Sequence, residues 1–296
     1  MCRRGSLRLE LLGPVRLWRN HNEVCVGPPK QRAVLGVLAG RLGEVVSVEQ
    51  LVDAVWGRRL PQSAASAVHT YVAGLRRALE PNRCRRGTSR VLASVSGGYC
   101  LRIPADAVDA RLFLRGIDAA RTALAAGRPG PAVAELERAL SLWHGEAYAN
   151  VPGPFADIER TRLGETRMSA IEDWADLLLA AGLHTQVVPV LVGHVGRYPL
   201  RERLRFILML ALYRSGRRAD ALAVYRETRE VLSVELGVEP GPALQELHEQ
   251  ILDGRPALLP GGVTGNVQVL RSMGATDRTA PAEAEPSPRY SLGGRR

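Results

Sequence analysis

Between Ser63 and Glu80 the chain reads SAASAVHTYVAGLRRALE. At about 100° per residue, Val68, Val72, Leu75 and Leu79 fall on one stripe, flanked by Tyr71 and Ala78. That period predicts a helix with one face in a core. The opposite face carries Ser63, Ser66, Thr70, Ala73 and Arg77, with His69 and Arg76 to one side and Gly74 to the other. It is small, hydroxylated and basic, with no acid before Glu80. A face that only solubilises a helix mixes both signs. Small residues permit close approach and arginines suit an anionic surface, so the face matches a helix laid in a DNA major groove. A surface helix with an arginine-rich end fits the same stretch.

The flanking patterns add weight to the first reading. Leu7 to Val26 reads as short strands: LRLELLG alternates, Pro14 breaks it, VRLWRN resumes, and VCV follows a turn expected at His21 and Asn22. Pro28 and Pro29 suit a helix start, and Ala33, Val34, Val37, Leu38 and Leu42 give that helix an apolar face. Ser47, with Gln50 three residues on, forms a capping box that opens a second helix, SVEQLVDAVW. The helix of Ser63–Glu80 is the third. After the basic loop PNRCRRGTS, VLASVSGGYCLRI reads as a hairpin around Gly97-Gly98. Strands, a helix pair joined by a connector, and a hairpin make the layout of a winged helix, in which the second helix of the pair reads the groove.

Residues 106–254 differ in kind. Alanine- and leucine-rich helical runs are expected at 110–126, 131–142, 155–181, 185–198, 201–215, 219–235 and 242–252. AAGLHTQVVPVL and RSGRRADALAVY align on Gly182 and Gly216, which lie 34 residues apart, the tetratricopeptide period. The expected architecture is a stack of helix pairs. The fold class is therefore mainly α: an N-terminal winged helix-turn-helix (1–104), an all-α tetratricopeptide-like domain (105–254), and a Gly-, Pro- and Ser-rich tail (255–296) expected to be disordered.

Charge sharpens the division. Residues 1–100 hold 16 Lys or Arg against 6 Asp or Glu, while 101–296 hold 24 of each. All of the net +10 sits in the first third, as for a nucleic-acid-binding module joined to a neutral one. Aromatics are only 5%, which argues against stacking platforms for single strands. Cys2, Cys25, Cys84 and Cys100 lack zinc-ligand spacing and read as free thiols. No apolar run approaches the roughly 18 residues of a membrane span, and Arg8 and Glu10 break any signal peptide, so a cytoplasmic location is expected.

Catalytic patterns are missing. The single lysine, Lys30, follows Pro29, so there is no Gly-Lys-Ser/Thr phosphate loop. There is no G-x-S-x-G elbow and no H-E-x-x-H, and the six histidines are scattered. No enzyme activity, cofactor or metal is expected. Only about six residues precede the first strand, too few for a phosphate-accepting receiver.

LLGPVRLW, GPPKQRAVLGVLAGRLGEVVSVEQLVDAVWG, AVHTYVAGLRRALEP and SGGYCL closely resemble the OmpR-type winged helix of the Streptomyces antibiotic regulatory protein (SARP) family. PGPFADIERTRLGETRMSAIEDWADLLLAAG, YPLRERL and LMLALYRSGRRADALAVYRETREVLSVELGVEPGPALQELHEQIL resemble that family's bacterial transcriptional activation domain. The resemblance runs from about Leu7 to Leu252. It implies transcriptional activation of a secondary-metabolite (antibiotic) gene cluster. It also implies paired protomers on promoter direct repeats of double-stranded DNA, and contact with RNA polymerase holoenzyme. The helical domain would hold protomers together, touch polymerase or sense a ligand. A protein-binding scaffold or a repressor built on the same winged helix is the alternative.

In this reading Ser66, His69, Thr70 and Ala73 face the bases, with Ala73 and the Thr70 methyl meeting thymine methyls. Arg76 and Arg77 on the helix and Arg90 at the wing base anchor phosphates, from a wider basic set of Lys30, Arg32, Arg58, Arg59, Arg85 and Arg86. Ser96 at the wing meets the minor groove. Gly74 stands where many members have arginine, so a phosphate or base contact is expected to be lost there.

Overall fold

The computed structural model describes residues 6–58, 60–82 and 87–254. Strands β1 (Leu7–Glu10), β2 (Arg16–Arg19) and β3 (Asn22–Val24) form an antiparallel sheet in that order. Arg19 pairs with Asn22, so the β2–β3 turn is Asn20-His21, one residue earlier than the pattern suggested. Both turn residues have positive φ, 47° and 69°. A two-residue turn of this hand needs that at both positions, and asparagine tolerates it well.

Helix α1 (Pro29–Gly40) is buried at every position from Ala33 to Ala39. An all-round apolar helix is covered on all sides, and α1 is: α2, α3 and the wing pack on it, and so does a helix of the second region. Helix α2 (Val48–Trp56) starts with the expected capping box. The Gln50 N–H donates to Ser47 Oγ at 3.2 Å, and the Ser47 N–H donates to Gln50 Oε1 at 3.0 Å. Helix α3 spans Ala64–Leu79 and buries Ala64, Val68, Val72, Leu75 and Leu79. Strands β4 (Leu92–Val95) and β5 (Gly98–Leu101) close the hairpin over Ser96-Gly97, with Gly97 at φ 89°. Gly98 is not in the turn. A Cβ there would lie 2.1 Å from the Val46 carbonyl oxygen, because Val46 and Tyr99 exchange both backbone hydrogen bonds at 2.9 Å.

After a short 3-10 turn at Ala105–Ala107 the chain is helical: α4 (Asp109–Ala125), α5 (Pro129–Leu140), α6 (Pro154–Ala180), α7 (His184–Val195), α8 (Glu202–Arg214), α9 (Arg218–Leu236) and α10 (Pro242–Leu252). Each packs on the next, and α8 also packs on α6 and α10. Gly127, Gly182 and Gly216 end α4, α6 and α8 at φ 67°, 79° and 77°. The recurring glycine seen in the sequence is thus a helix-ending left-handed residue. Among the described residues no helix is long and apolar enough to cross a membrane. The expected disordered tail, 255–296, lies outside the described residues, as do Cys2 and Cys84.

The two regions share one core of buried residues running from Leu9 to Ile251. Loop Leu11–Val15, between β1 and β2, finds its backbone partners in the helical region. The Asp109 carboxylate accepts the N–H of Leu11 (2.8 and 2.9 Å), of Leu12 (3.0 Å) and of Ala110 (2.6 Å). The N–H groups of His144 and Tyr148 donate to the carbonyls of Leu12 and Leu11 at 2.9 and 3.0 Å, and Val15 N–H donates to Asn150 Oδ1 at 2.8 Å. Burial pushes the Asp109 carboxyl up to about 6; the backbone N–H bonds oppose the shift and nearby Glu10 adds to it.

Aromatic rings complete this seam. Tyr148, only 1% exposed and at φ 54°, lies against Gly36 of α1, where a Cβ would stand 2.9 Å from its ring. Phe155 packs edge-on to Tyr148 and over Gly40, where a Cβ would stand 2.6 Å away. Two glycines four apart therefore give α1 a groove for two rings. Arg111 closes it by donating to the Gly40 carbonyl at 2.9 Å.

Candidate nucleic-acid interface

The seam leaves α3 and the wing on open ground. The helical region reaches α1 and α2 through α6, whereas α3 packs on α1, α2 and β4. Ser66, His69, Thr70, Ala73 and Arg77 are all exposed, and the four apolar positions of the predicted stripe are buried. The first turn of α3 has no acid, and Arg76 and Arg77 lie in its last turn, where a helix favours cations. Thr70 donates its hydroxyl proton to the Ser66 carbonyl at 3.1 Å, a local bond that leaves the oxygen free to accept.

Arg76 and Arg77 look alike in sequence but are placed differently. Arg77 is exposed. Arg76 is turned toward the wing, where its Nε donates to the Leu92 carbonyl at 2.9 Å and its Nη2 to Ser94 Oγ at 2.8 Å. Its guanidinium also lies 5.6 Å from the centre of the Tyr99 ring. His69 joins the same seam, with Nδ1 2.6 Å from the Tyr99 hydroxyl. At the far end of α3, Glu80 accepts the Arg90 N–H at 3.1 Å and the Ser89 hydroxyl, tying the start of the wing to the helix C-terminus. The Arg90 residue is exposed, and so is Ser96 at the wing tip.

The wider basic set divides. Lys30 lies 4.5 Å from the Trp56 ring centre, and Arg32 donates to the Gly27 carbonyl at 3.0 Å. Arg58 is exposed, while Arg59, Arg85 and Arg86 lie outside the described residues. Gly74, expected to mark a lost DNA contact, instead faces α1, and a Cβ there would meet the Gln31 amide at 2.5 Å. Its absent side chain serves helix packing, and the Gln31 amide, held by the Val26 carbonyl at 2.7 Å, would have to move for anything larger.

Sequence reasoning missed Tyr99, Ser94 and Glu80. The signals were an aromatic just after the Gly-Gly of the hairpin, and the one acid at the end of an acid-free face. Among the described residues no three metal-ligating side chains cluster.

A winged helix with an acid-free helix face beside its hairpin, fused to a stack of helix pairs, defines a class of transcriptional regulator. Residues 22–101 match the family described as transcriptional regulatory protein, C terminal, and residues 108–252 match the bacterial transcriptional activator domain. The chain is 47% identical over 255 residues to the regulatory protein AfsR of Streptomyces coelicolor, covering 86% of this chain and 25% of that protein. It is 36% identical to the transcriptional regulator RedD of the same species, covering 86% of this chain and 73% of that one. Among solved structures, Mycobacterium tuberculosis EmbR in complex with a low affinity phosphopeptide superposes with a TM-score of 0.77 at 32% identity, covering 91% of this chain and 69% of that one. The chain belongs to the Streptomyces antibiotic regulatory protein family of transcriptional activators. It spans about a quarter of the length of AfsR.

Proposed function

We propose that the chain activates transcription by binding promoter DNA with α3 in the major groove and the β4–β5 wing alongside. The observation that carries this is the exposed Ser66–Arg77 face, with no acid and with the wing latched beside it. Ser66, His69, Thr70 and Ala73 address the groove floor, Arg77 and Arg90 take phosphates, and Ser96 meets the minor groove. Arg76 acts mainly through the wing. The family resemblance supports the wider reading: homo-oligomers on direct repeats, contact with RNA polymerase holoenzyme, and control of a secondary-metabolite gene cluster. A direct repeat related by about one helical turn would set two copies on one face of the duplex.

The test is a gel-shift titration over several salt concentrations, using the DNA upstream of neighbouring genes. Arg77→Ala should weaken binding to every sequence and reduce the slope of log K against log salt by about 1. If affinity and slope stay unchanged, this docking is wrong.

A further inference from the structure

His69 and Tyr99 are linked by a short side-chain contact. Nδ1 lies 2.6 Å from the phenol oxygen, and the rings meet nearly edge-on, 73° apart. Tyr99 is 8% exposed, and its hydroxyl has no other hydrogen-bond partner among the described residues. Its ring is held by Arg76, itself fixed to Leu92 and Ser94.

Two neutral arrangements are conceivable. If Nδ1 carried the ring proton it would donate to the phenol oxygen, and the phenol's own proton would have no acceptor among the described residues at this part-buried contact. Leaving a donor of a largely buried side chain without a protein acceptor is the less favourable outcome. If the phenol donates to the bare Nδ1, its proton is used and only an oxygen lone pair goes spare. The neutral ring then carries its proton on Nε2. In the protonated ring both nitrogens carry protons, Nδ1 donates to the phenol oxygen, and Nε2 is again N–H. Nε2 is a donor in both charge states.

We propose that Tyr99 fixes His69 as an Nε2–H donor, so that His69 pairs only with hydrogen-bond acceptors on the nucleic acid. The inference rests on the reading of α3 as the DNA-facing helix. The eligible partners are guanine N7 or O6, adenine N7, thymine O4, or a phosphate oxygen. The amino groups of adenine N6 and cytosine N4 are excluded, because they too are donors. Tyr99 is a positioning residue and His69 the contact.

The first experiment needs no DNA. The full chain, labelled with 15N-histidine, is examined by long-range 1H–15N correlation at a pH where the rings are neutral, with His69→Gln supplying the assignment. The expected spectrum has Nδ1 of His69 bare and Nε2 protonated, and Tyr99→Phe moves both toward averaged values. A protonated Nδ1 in the wild type, or a Tyr99→Phe spectrum identical to wild type, overturns the proposal. Should Tyr99→Phe not fold, the wild-type spectrum decides alone.

The second experiment uses a DNA fragment the chain binds. Tyr99→Phe should lose about two- to tenfold in affinity, the scale of one hydrogen bond, and nothing further once His69 is alanine. If 7-deazaguanine at one position removes the difference, the acceptor is a base; if a methylphosphonate does so, it is a phosphate. A difference that persists in the His69→Ala background overturns the assignment. Failure of the wild-type chain to bind any DNA defeats the DNA-facing reading but leaves the tautomer result standing.

Discussion

The winged helix meets its surroundings at two seams built on opposite principles. Against the helical region, the seam is buried. Tyr148 and Phe155 fill the Gly36–Gly40 groove, and Asp109 satisfies buried backbone donors from a loop 97 and 98 residues away. Between α3 and the wing, the seam is made by side chains that are partly exposed: Arg76 to Leu92 and Ser94, and His69 to Tyr99. The first seam holds the fold together. The second ties α3 to the wing and leaves polar groups exposed beside it, where the proposed DNA contact would lie. The helical region therefore completes the core of the winged helix rather than hanging from it.

Cutting at the buried seam should have the largest effect. Tyr148→Ala empties a ring-sized space between α1 and α6 and is expected to cost about 3–5 kcal/mol in denaturant unfolding. A loss under about 1 kcal/mol would mean the seam closes without it. Asp109→Ala strands the amides of Leu11, Leu12 and Ala110 and should cost at least about 3 kcal/mol at the same seam.

Asp109 also makes the seam pH-dependent. Its folded carboxyl is raised from 3.8 to about 6, so the folded state holds the proton more tightly than the unfolded chain does. Its contribution to stability is therefore full below about pH 4 and is lost as pH rises through about 6, a change of about 3 kcal/mol. Unfolding measured from pH 4 to pH 7 should show this decline, and Asp109→Asn should flatten it. An equal slope in both proteins would remove Asp109 as its source. At the other extreme, Thr70→Ala on the open face should alter stability by less than about 0.5 kcal/mol. Its effect belongs in base preference, read by selecting binding sites from a random DNA pool. An unaltered consensus would take Thr70 off the groove floor.

Local features were readable from the sequence because they depend on neighbours along the chain. The stripe of α3, the Ser47–Gln50 capping box and the glycine-ended helices stand within a residue or two of where periodicity put them. The exposed positions of the proposed interface followed from the same period. What was not readable depends on partners far along the chain. Gly36 and Gly40 look like ordinary members of an apolar helix until the rings from 148 and 155 arrive. Asp109 looks like a first-turn acid of α4, and nothing nearby announces the β1–β2 loop as its partner. Arg76 and Arg77 differ by one step of about 100°, enough to send one to the wing and leave the other exposed. Gly74 looked like a missing contact because its neighbour across α1, Gln31, is invisible to a helical wheel.

Calorimetry of the full chain tests the shared core most directly. With the winged helix and the helical region closed over one seam, heating should give a single transition whose calorimetric and van't Hoff enthalpies agree. Two resolved transitions, with residues 6–104 melting apart from the helices, would contradict it.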